Sequence, residues 1–363
     1  MATVTKTIQA GGDYTTIQGW IDDLDESSIY SSSDIAIGLV SGDHEISTKI
    51  TMNTGDTIGL AQARISVAEA DRHDGIEGTG VTLTVSTSTN YCFQSTTSAV
   101  RYTIEWLEWD YEDTNHGGDV WIAIGSGDST ITCAPTFGHN MIHSVDAGSE
   151  IGRIVQVGGW WSCVHNNILY DMTGTSTGYF HGLQGGGFDS RVSACSNNTV
   201  YNIHGGDNVA GIGNWSTSGS YMRVFNNISV GTTAEAGGSA VDFGMTWTGS
   251  TMGDNNLSSD TTASGPNAVE SVSAASLFVS TSDPKDLHLK AGADAIGAGA
   301  DLGTGITLLS GNSVGTSDVG TALNYDIDNY NRNDDANWDI GADQFVSAAV
   351  KIAKSFLLFL LDN

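Results

Sequence analysis

Short hydrophobic runs recur along the middle of the chain, and turns rich in Gly, Ser and Asn separate them. A polar pair precedes each run: it is His-Asn at its first occurrence and Asn-Asn at the next four. The pairs begin at positions 139, 166, 197, 226 and 255, so the steps between them are 27, 31, 29 and 29 residues. This regular spacing predicts a repeated structural unit that stacks into a solenoid.

Composition indicates which kind of solenoid the repeats form. The units are rich in Gly, Ser, Thr, Asn and Val and lack helical periodicity, which favours coils of short β-strands over paired helices. Gly accounts for 46 of 363 residues and supplies positive φ angles at bends, whereas Pro occurs only 3 times. Scarce Pro leaves nearly every strand N–H able to pair with a neighbouring coil. The sequence therefore predicts an all-β fold of stacked coils.

The polar pairs themselves predict a hydrogen-bonded ladder inside the solenoid. A buried Asn at a bend can bond to its counterpart one coil away and so satisfy backbone groups that would otherwise lack partners. We expect this ladder to consist of the second residue of each pair: Asn140, Asn167, Asn198, Asn227 and Asn256.

The N-terminal segment follows a different pattern. Thr15 and Gln18 have the spacing of a capping box, and the apolar residues from Ile17 to Leu24 recur at helical intervals. We predict a short helix that covers the open end of the solenoid. The expected organisation is a cap at 1–30, a parallel β-helix at 31–260, an irregular β region at 261–345 and an apolar segment at 346–363.

The apolar pattern of the last segment, 346–363, predicts that the chain assembles with other chains. Its apolar residues follow helical spacing, but others fill the remaining faces, so no polar side is left. Soluble proteins avoid exposing such a patch, and the segment is too short to span a bilayer. We expect burial between identical subunits or in a socket on a larger particle, with burial against the chain's own β-helix as the alternative. The residues concerned are Val350, Ala353, Phe356, Leu357, Leu360 and Leu361.

Charge narrows the range of partners. The chain has 42 acidic and 13 basic residues and a net charge of −29, which excludes nucleic acid and anionic membrane surfaces as partners. The 4 Cys residues lack the spacing of a zinc knuckle or a redox pair. The first residues lack the apolar run of a signal peptide, so we expect a protein that is made in a cytoplasm and not secreted.

Candidate catalytic residues are few. Glycoside hydrolysis needs two carboxyl groups, for which Asp189, Asp207 and Asp242 of the repeat region are candidates, although an acidic residue is more often solvated surface. Asp326 begins a stretch that resembles a calcium loop, but position six is Asn331 and position twelve is Asn337, where Gly and Glu are required. We expect no cofactor, with calcium as the alternative.

Four Trp residues are candidates for carbohydrate binding. Each lies in or beside a Gly- and Ser-rich turn, outside the apolar strand runs. An exposed indole can stack on a sugar ring, and packing beneath a loop is the alternative. These residues are Trp160, Trp161, Trp215 and Trp247.

Several segments resemble known proteins. The sequence GGDYTTIQ at 11–18 resembles the opening of right-handed parallel β-helix proteins with the pectin-lyase-like fold. Three C-terminal segments, at 286–290, 295–299 and 338–343, resemble the terminal part of bacterial and phage β-helix proteins, as does 326–328. The first eight residues resemble uncharacterised phage proteins. The resemblance implies a right-handed parallel β-helix, a fold that carries lyases, hydrolases, adhesins and phage spikes.

The function that we predict is structural. The Arg-rich signature of pectate lyases and the polygalacturonase motifs are absent from the sequence. We therefore expect a non-enzymatic virion-surface protein, either a head-decorating fibre or a tail spike, whose β-helix binds a glycan or host surface. The resemblance implies a homotrimer that meets other virion proteins through its C-terminal segment. The alternatives are a polysaccharide-degrading enzyme of the same fold and a bacterial surface adhesin.

Overall fold

The computed structural model describes most of the chain, namely residues 2–55, 57–86, 92–95, 100–112, 122–124, 135–148, 152–157, 162–175, 178–185, 192–214, 221–245, 253–263, 265–303, 306–307, 313–314 and 320–347. Three long sheets, each entirely parallel, wind into a solenoid. The third sheet has seven strands, one for each complete coil. The predicted all-β, parallel β-helix fold is confirmed.

Each coil passes from the first sheet to the second and then to the third. The first sheet consists of Thr3–Ile8, Ile35–Val40, Gln62–Val67, Arg101–Glu105, Thr136–Gly138, Cys163–His165, Val192–Ser196, Tyr221–Phe225 and Gly253–Asp254. The second consists of His44–Ile46, Thr82–Val85, Glu108–Asp110, Met141–His143, Ile168–Thr173, Thr199–Gly205, Ile228–Val230 and Leu257–Ser258, with Val145–Asp146 and Thr233–Ala234 paired beside it. The third consists of Ile50–Met52, Phe93–Ser95, Ile122–Ile124, Arg153–Val157, Tyr179–Gly185, Asn208–Asn214 and Ser239–Gly244.

The core consists of columns of apolar side chains that stack from coil to coil. In the second sheet the strand register places Trp109, Ile142, Leu169 and Val200 one above the other, all fully buried. Each such side chain contributes about 1.5–3 kcal/mol by leaving water. Alternation along each strand directs the neighbouring residues outward.

A short helix covers the N-terminal end, as expected, but its N-cap lies one residue after the predicted N-cap, Thr15. The helix spans Ile17–Asp22, and its N-cap is Thr16, whose hydroxyl accepts the N–H of Gly19 at 3.0 Å. Thr15 is therefore not the capping residue, because the extended backbone at Thr16 places that hydroxyl over the first turn. Gln18 instead accepts the N–H of Thr51 at 2.8 Å and so joins the helix to the third sheet.

The described residues within 265–347, here called the clasp, follow the last coil, and several of them pack against outward-facing side chains of the solenoid. The clasp contains a helix, two antiparallel strand pairs and two 3-10 turns: Ala274–Leu277, Phe278–Ser280 with Asp286–Leu289, Ile306–Thr307 with Ser313–Val314, Gly320–Asn324 and Arg332–Asp334. A third 3-10 turn, Glu69–Asp71, belongs to the solenoid. Outward-facing Met141, Ile168 and Ile228 of the second sheet pack with Leu287 and Ile340 of the clasp. The second sheet is therefore covered on both faces where the clasp lies.

The helices of the described part of the chain are short, and none has the length and apolar character needed to cross a membrane.

Candidate functional site

The bend between the first and second sheets carries two columns of side chains, and the inner one is a continuous amide ladder. Asn167 Oδ1 accepts the backbone N–H of Asn140 at 2.9 Å, and Asn198 Oδ1 accepts that of Asn167 at 3.1 Å. The same bond joins Asn198 to Asn227 and Asn227 to Asn256, each at 3.0 Å. All five side chains are fully buried. The residues expected to form the ladder are thus brought into one column.

Each ladder amide also reaches back to the preceding coil. The Nδ2 of Asn198 donates to the carbonyl of Val164 at 3.1 Å, and the Nδ2 of Asn227 donates to that of Cys195 at 2.9 Å. One side chain therefore satisfies both a backbone donor and a backbone acceptor of the preceding coil. Since a buried amide without partners is costly, this arrangement stabilises the bend.

The outer column consists of the first residue of each pair, and all five have left-handed backbone conformations with φ between 51° and 56°. Asn adopts this conformation more readily than most residues. These residues are His139, Asn166, Asn197, Asn226 and Asn255.

Side chains of the outer column hold the clasp. Asn226 Nδ2 donates to the carbonyl of Ala300 and its Oδ1 accepts the N–H of the same residue, both at 2.8 Å. Asn255 donates to the carbonyl of Ala298 at 2.8 Å, and Asn166 to that of Ala322 at 3.1 Å. The sequence reasoning did not assign this role. The sequence signal for this role is that most of the pairs contain two Asn residues, although the ladder needs only one amide per coil.

Buried charges organise the clasp. Arg332 is fully buried and donates to the carbonyls of Gly341 and Ala342 at 2.9 and 2.7 Å. Asp326 accepts backbone N–H groups from Asp328 and Tyr330, and burial raises its pKa well above the usual value. The Asp326 side chain, which begins the stretch that resembles a calcium loop, is therefore bonded to backbone N–H groups two and four residues further along the chain.

One group of side chains in the clasp has the composition of a metal site. Candidate ligand atoms of His288, Asp328 and Asp343 all lie within 4.8 Å of one another. Burial alone would lower the pKa of His288, but hydrogen bonds to Asp286 and Asp328 raise it to about 11. Burial raises the pKa of Asp343 to about 6. The group lines a pocket of 370 Å³.

The outer face of the third sheet contains a shallow groove, here called the third-sheet groove. Its volume is 150 Å³ and it is lined by Tyr179, His181, Asn208, Val209, Ala210, Asn214, Ser239, Val241 and Gly244. Tyr179 is 57% exposed. At Gly213, beside the groove, a Cβ atom would lie 2.8 Å from the His181 ring, so a larger residue would displace that imidazole.

His181 is neutral near pH 7. Burial lowers its pKa to about 4, and the Arg153 charge acts in the same direction. Its Nδ1 lies 2.9 Å from Gln184 Nε2, which fixes the ring orientation. The groove thus presents an aromatic ring, amides, a hydroxyl and an uncharged imidazole.

Two of the three candidate catalytic carboxylates, Asp207 and Asp242, lie in the described part of the chain. Asp242 is buried at the last coil, where it accepts N–H groups from Thr232, Ser259 and Asp260, and burial raises its pKa. Asp207 is half-buried at a bend, and no described contact joins it to Asp242. Asp189 lies outside the described residues.

The predicted aromatic and assembly residues also lie outside the described part. In the chain, the Trp residues fall in the segments that connect third-sheet strands to first-sheet strands: Trp160, Trp161, Trp215 and Trp247. The assembly residues fall in 348–363: Val350, Ala353, Phe356, Leu357, Leu360 and Leu361. Both groups stay predictions.

No protein-family model matches the chain, and a search of curated proteins finds no match.

Proposed function

We propose that the protein is a non-enzymatic component of a phage particle, either a head-decorating fibre or a tail spike, that binds polysaccharide through the third-sheet groove. The observation that carries the binding role is the exposed Tyr179 ring beside the amide of Asn208 and the neutral imidazole of His181. An aromatic face packs on the apolar face of a sugar, while amides and hydroxyls bond to its hydroxyl groups.

The chemistry of the groove favours binding over hydrolysis. Glycosidases use two carboxyl groups about 5 to 9.5 Å apart. The described residues that line the groove include neither Asp nor Glu. His181 at a pKa of about 4 is uncharged near pH 7 and so attracts no uronate. With a net charge of −29 on the chain, these features favour a neutral glycan.

The scaffold suits a rod on a particle surface. Neighbouring strands are about 4.8 Å apart, so seven coils extend the third sheet over roughly 30 Å. An extended ligand can therefore meet the same sheet on successive coils. The assignment to a phage particle depends on the resemblance of the first eight residues and the C-terminal segments to phage proteins.

Glycan binding is tested with the variant Tyr179→Ala on an array of immobilised neutral and anionic bacterial polysaccharides. The matched control is Val279→Ala, because Val279 is exposed to a similar degree, 56%, but lies outside the groove. We expect Tyr179→Ala to lose at least about tenfold in affinity, since ring stacking and shape supply most of the contact. Unchanged binding by Tyr179→Ala would exclude the groove. Release of reducing ends from a bound glycan would favour the enzyme alternative.

Assembly is a separate proposal. We propose a homotrimer that buries residues 348–363 between subunits or in a socket on the particle, because that segment is apolar on nearly every side. Removing 348–363 should convert a trimer into a monomer, as measured by light scattering. A truncated chain of unchanged mass would contradict the proposal.

A further inference from the structure

The third-sheet groove lies on the last three strands of its sheet, where two columns of residues face outward. Strand register places three residues in each column: His181, Ala210 and Val241 in one, and Gln184, Gly213 and Gly244 in the other. The columns approach closely, because a Cβ atom at Gly244 would lie 2.7 Å from that of Ala210. The groove therefore exists because glycine occupies the second column on two successive coils.

The floor of the groove is apolar at its centre. Ala210 and Val241 line it and follow His181 in the same column. The volume of 150 Å³ is well below the roughly 300–1,000 Å³ of pockets that enclose a drug-sized ligand, so the groove suits one small group of a ligand. A methyl group gains by leaving water on this floor, whereas a hydroxyl group would lose hydrogen bonds to water without replacement.

His181 supplies a single directed donor at one end of this floor. Gln184 Nε2 lies 2.9 Å from His181 Nδ1, and an amide nitrogen can only donate, so Nδ1 accepts and the uncharged ring carries its proton on Nε2. Within the described part of the chain, no residue accepts this Nε2–H. The side chain is only 5% exposed but lines the groove, so the donor is available to a ligand there.

We propose that the groove selects sugars that carry an N-acetyl group, an inference that rests on the glycan binding proposed above. The acetamido carbonyl accepts the Nε2–H of His181, and the acetamido methyl group packs on Ala210 and Val241. The sugar ring packs on the exposed Tyr179. His181 is thus a ligand-contacting residue, and Gln184 is a positioning residue that fixes its tautomer and orientation.

An acetamido group matches the groove better than a hydroxyl group or a carboxylate does. A hydroxyl group brings no methyl to the apolar floor. A carboxylate would lack a cationic partner, because the described lining residues include neither Lys nor Arg. The acetamido N–H can donate to the side-chain oxygen of Asn208 or Ser239, which form the neighbouring outward row. The ligand class is therefore a neutral glycan that contains N-acetylhexosamine.

The test compares two oligosaccharides of the same linkage, N-acetylated chitotetraose and cellotetraose, by calorimetric titration of the full chain. We expect chitotetraose to bind at least about tenfold more tightly, because cellotetraose leaves the His181 donor and the apolar floor without a matching group. Equal affinity would overturn the selection of N-acetyl groups but leave glycan binding in place. Binding of neither, while other glycans still bind through Tyr179, would also overturn it. Absence of binding to any glycan would contradict both proposals.

Two variants separate the donor from the space around it. His181→Phe keeps an aromatic ring but removes the Nε2–H, and should weaken chitotetraose binding by about tenfold. Gly213→Ala places a Cβ atom 2.8 Å from the imidazole and should cause a similar loss by displacing the ring. The matched control is His204→Phe, on a second-sheet strand outside the groove, which should change affinity by less than about twofold. An equal loss in His181→Phe and His204→Phe would overturn the role of His181.

The tautomer of His181 gives a readout that does not depend on affinity. Nitrogen NMR of the chain with isotope-labelled histidines distinguishes a proton on Nε2 from one on Nδ1, and His181→Phe identifies the signals of His181. We expect the Nε2–H form in the free protein, a mixture of tautomers in Gln184→Leu, and a shift of the Nε2 signal on adding chitotetraose. A proton on Nδ1 in the free protein, or no shift of the His181 signals when chitotetraose binds, would overturn the proposal.

Discussion

In the solenoid, a buried amide such as that of Asn198 bonds to the same residue type one coil away, so each coil meets the requirements of the next. In the clasp, the buried guanidinium of Arg332 bonds to carbonyls of a segment that has no counterpart elsewhere. In the solenoid, buried polar groups find hydrogen-bond partners because each coil repeats the one before. In the clasp, they find partners in loops that occur only once. The difference implies that the solenoid tolerates local change better than the clasp.

His165 and His73 of the solenoid differ from His288 of the clasp in a similar way. Burial lowers the pKa of His165 to about 3 and that of His73 to about 4, so these solenoid residues are neutral. In the clasp, hydrogen bonds to carboxylates outweigh the burial of His288 and raise its pKa to about 11. Burial thus keeps His165 and His73 uncharged, whereas carboxylate partners favour the charged form of His288. His143 of the solenoid is like His288: its Nε2 lies 2.9 Å from Glu108 Oε1, and this hydrogen bond outweighs burial and raises its pKa.

The largest effect is expected from breaking the clasp at Arg332→Met. This change removes every donor of the buried guanidinium and leaves Asp326 and Asp343 without its compensating charge. Loss of one partner from a buried charge cluster costs about 3–5 kcal/mol. We expect limited proteolysis to cleave within 286–347 while the solenoid stays intact. Cleavage throughout the chain would contradict the separation of the two regions.

A smaller effect is expected in the ladder. Asn198→Ala leaves the N–H of Asn167 and the carbonyl of Val164 without side-chain partners, and should lower the free energy of unfolding by roughly 3 kcal/mol. The control is Asn197→Gly, which preserves the positive φ of the outer column and should cost less than about 1 kcal/mol. Urea unfolding measures both. An equal loss of unfolding free energy in Asn198→Ala and Asn197→Gly would contradict separate roles for the inner and outer columns.

Acid should weaken the solenoid selectively. His73 and His165 have folded pKa values below the unfolded value of about 6.5, so their contribution is present above that pH and is lost as the pH falls towards 4. His165→Asn should reduce this loss, by up to about 1.4 kcal/mol per pH unit.

The contribution of His288 has the opposite sign: it is present below pH 6.5 and is lost as the pH rises towards 11. Urea unfolding of His165→Asn and His288→Asn across this range measures both, and identical pH profiles would contradict the account.

Sequence reasoning was most successful where the structure repeats. The Asn pairs predicted the coils because each coil places the same bend at nearly the same interval. The clasp lacks such a signal, since Arg332 and Asp343 meet only after a unique chain path is known. The third-sheet groove is likewise invisible in the sequence, because strand register alone brings His181 opposite Ala210. The predicted N-cap was one residue early because Thr15 and Thr16 are both acceptable capping residues.

The central claim is that the two residues of one pair have separate tasks, the inner one joining coils and the outer one holding the clasp. Hydrogen–deuterium exchange on Asn226→Gly and Asn227→Gly tests it most directly, because the same substitution is made at adjacent positions. Gly at 226 keeps the left-handed backbone but removes both bonds to Ala300 and the bond that Asn226 Nδ2 donates to Asn197 Oδ1 at 3.0 Å. We predict that Asn226→Gly increases exchange at 298–300 and leaves the strands Thr199–Gly205 and Ile228–Val230 protected, whereas Asn227→Gly exposes those strands. Exchange that rises equally in strands and clasp for both variants would contradict it.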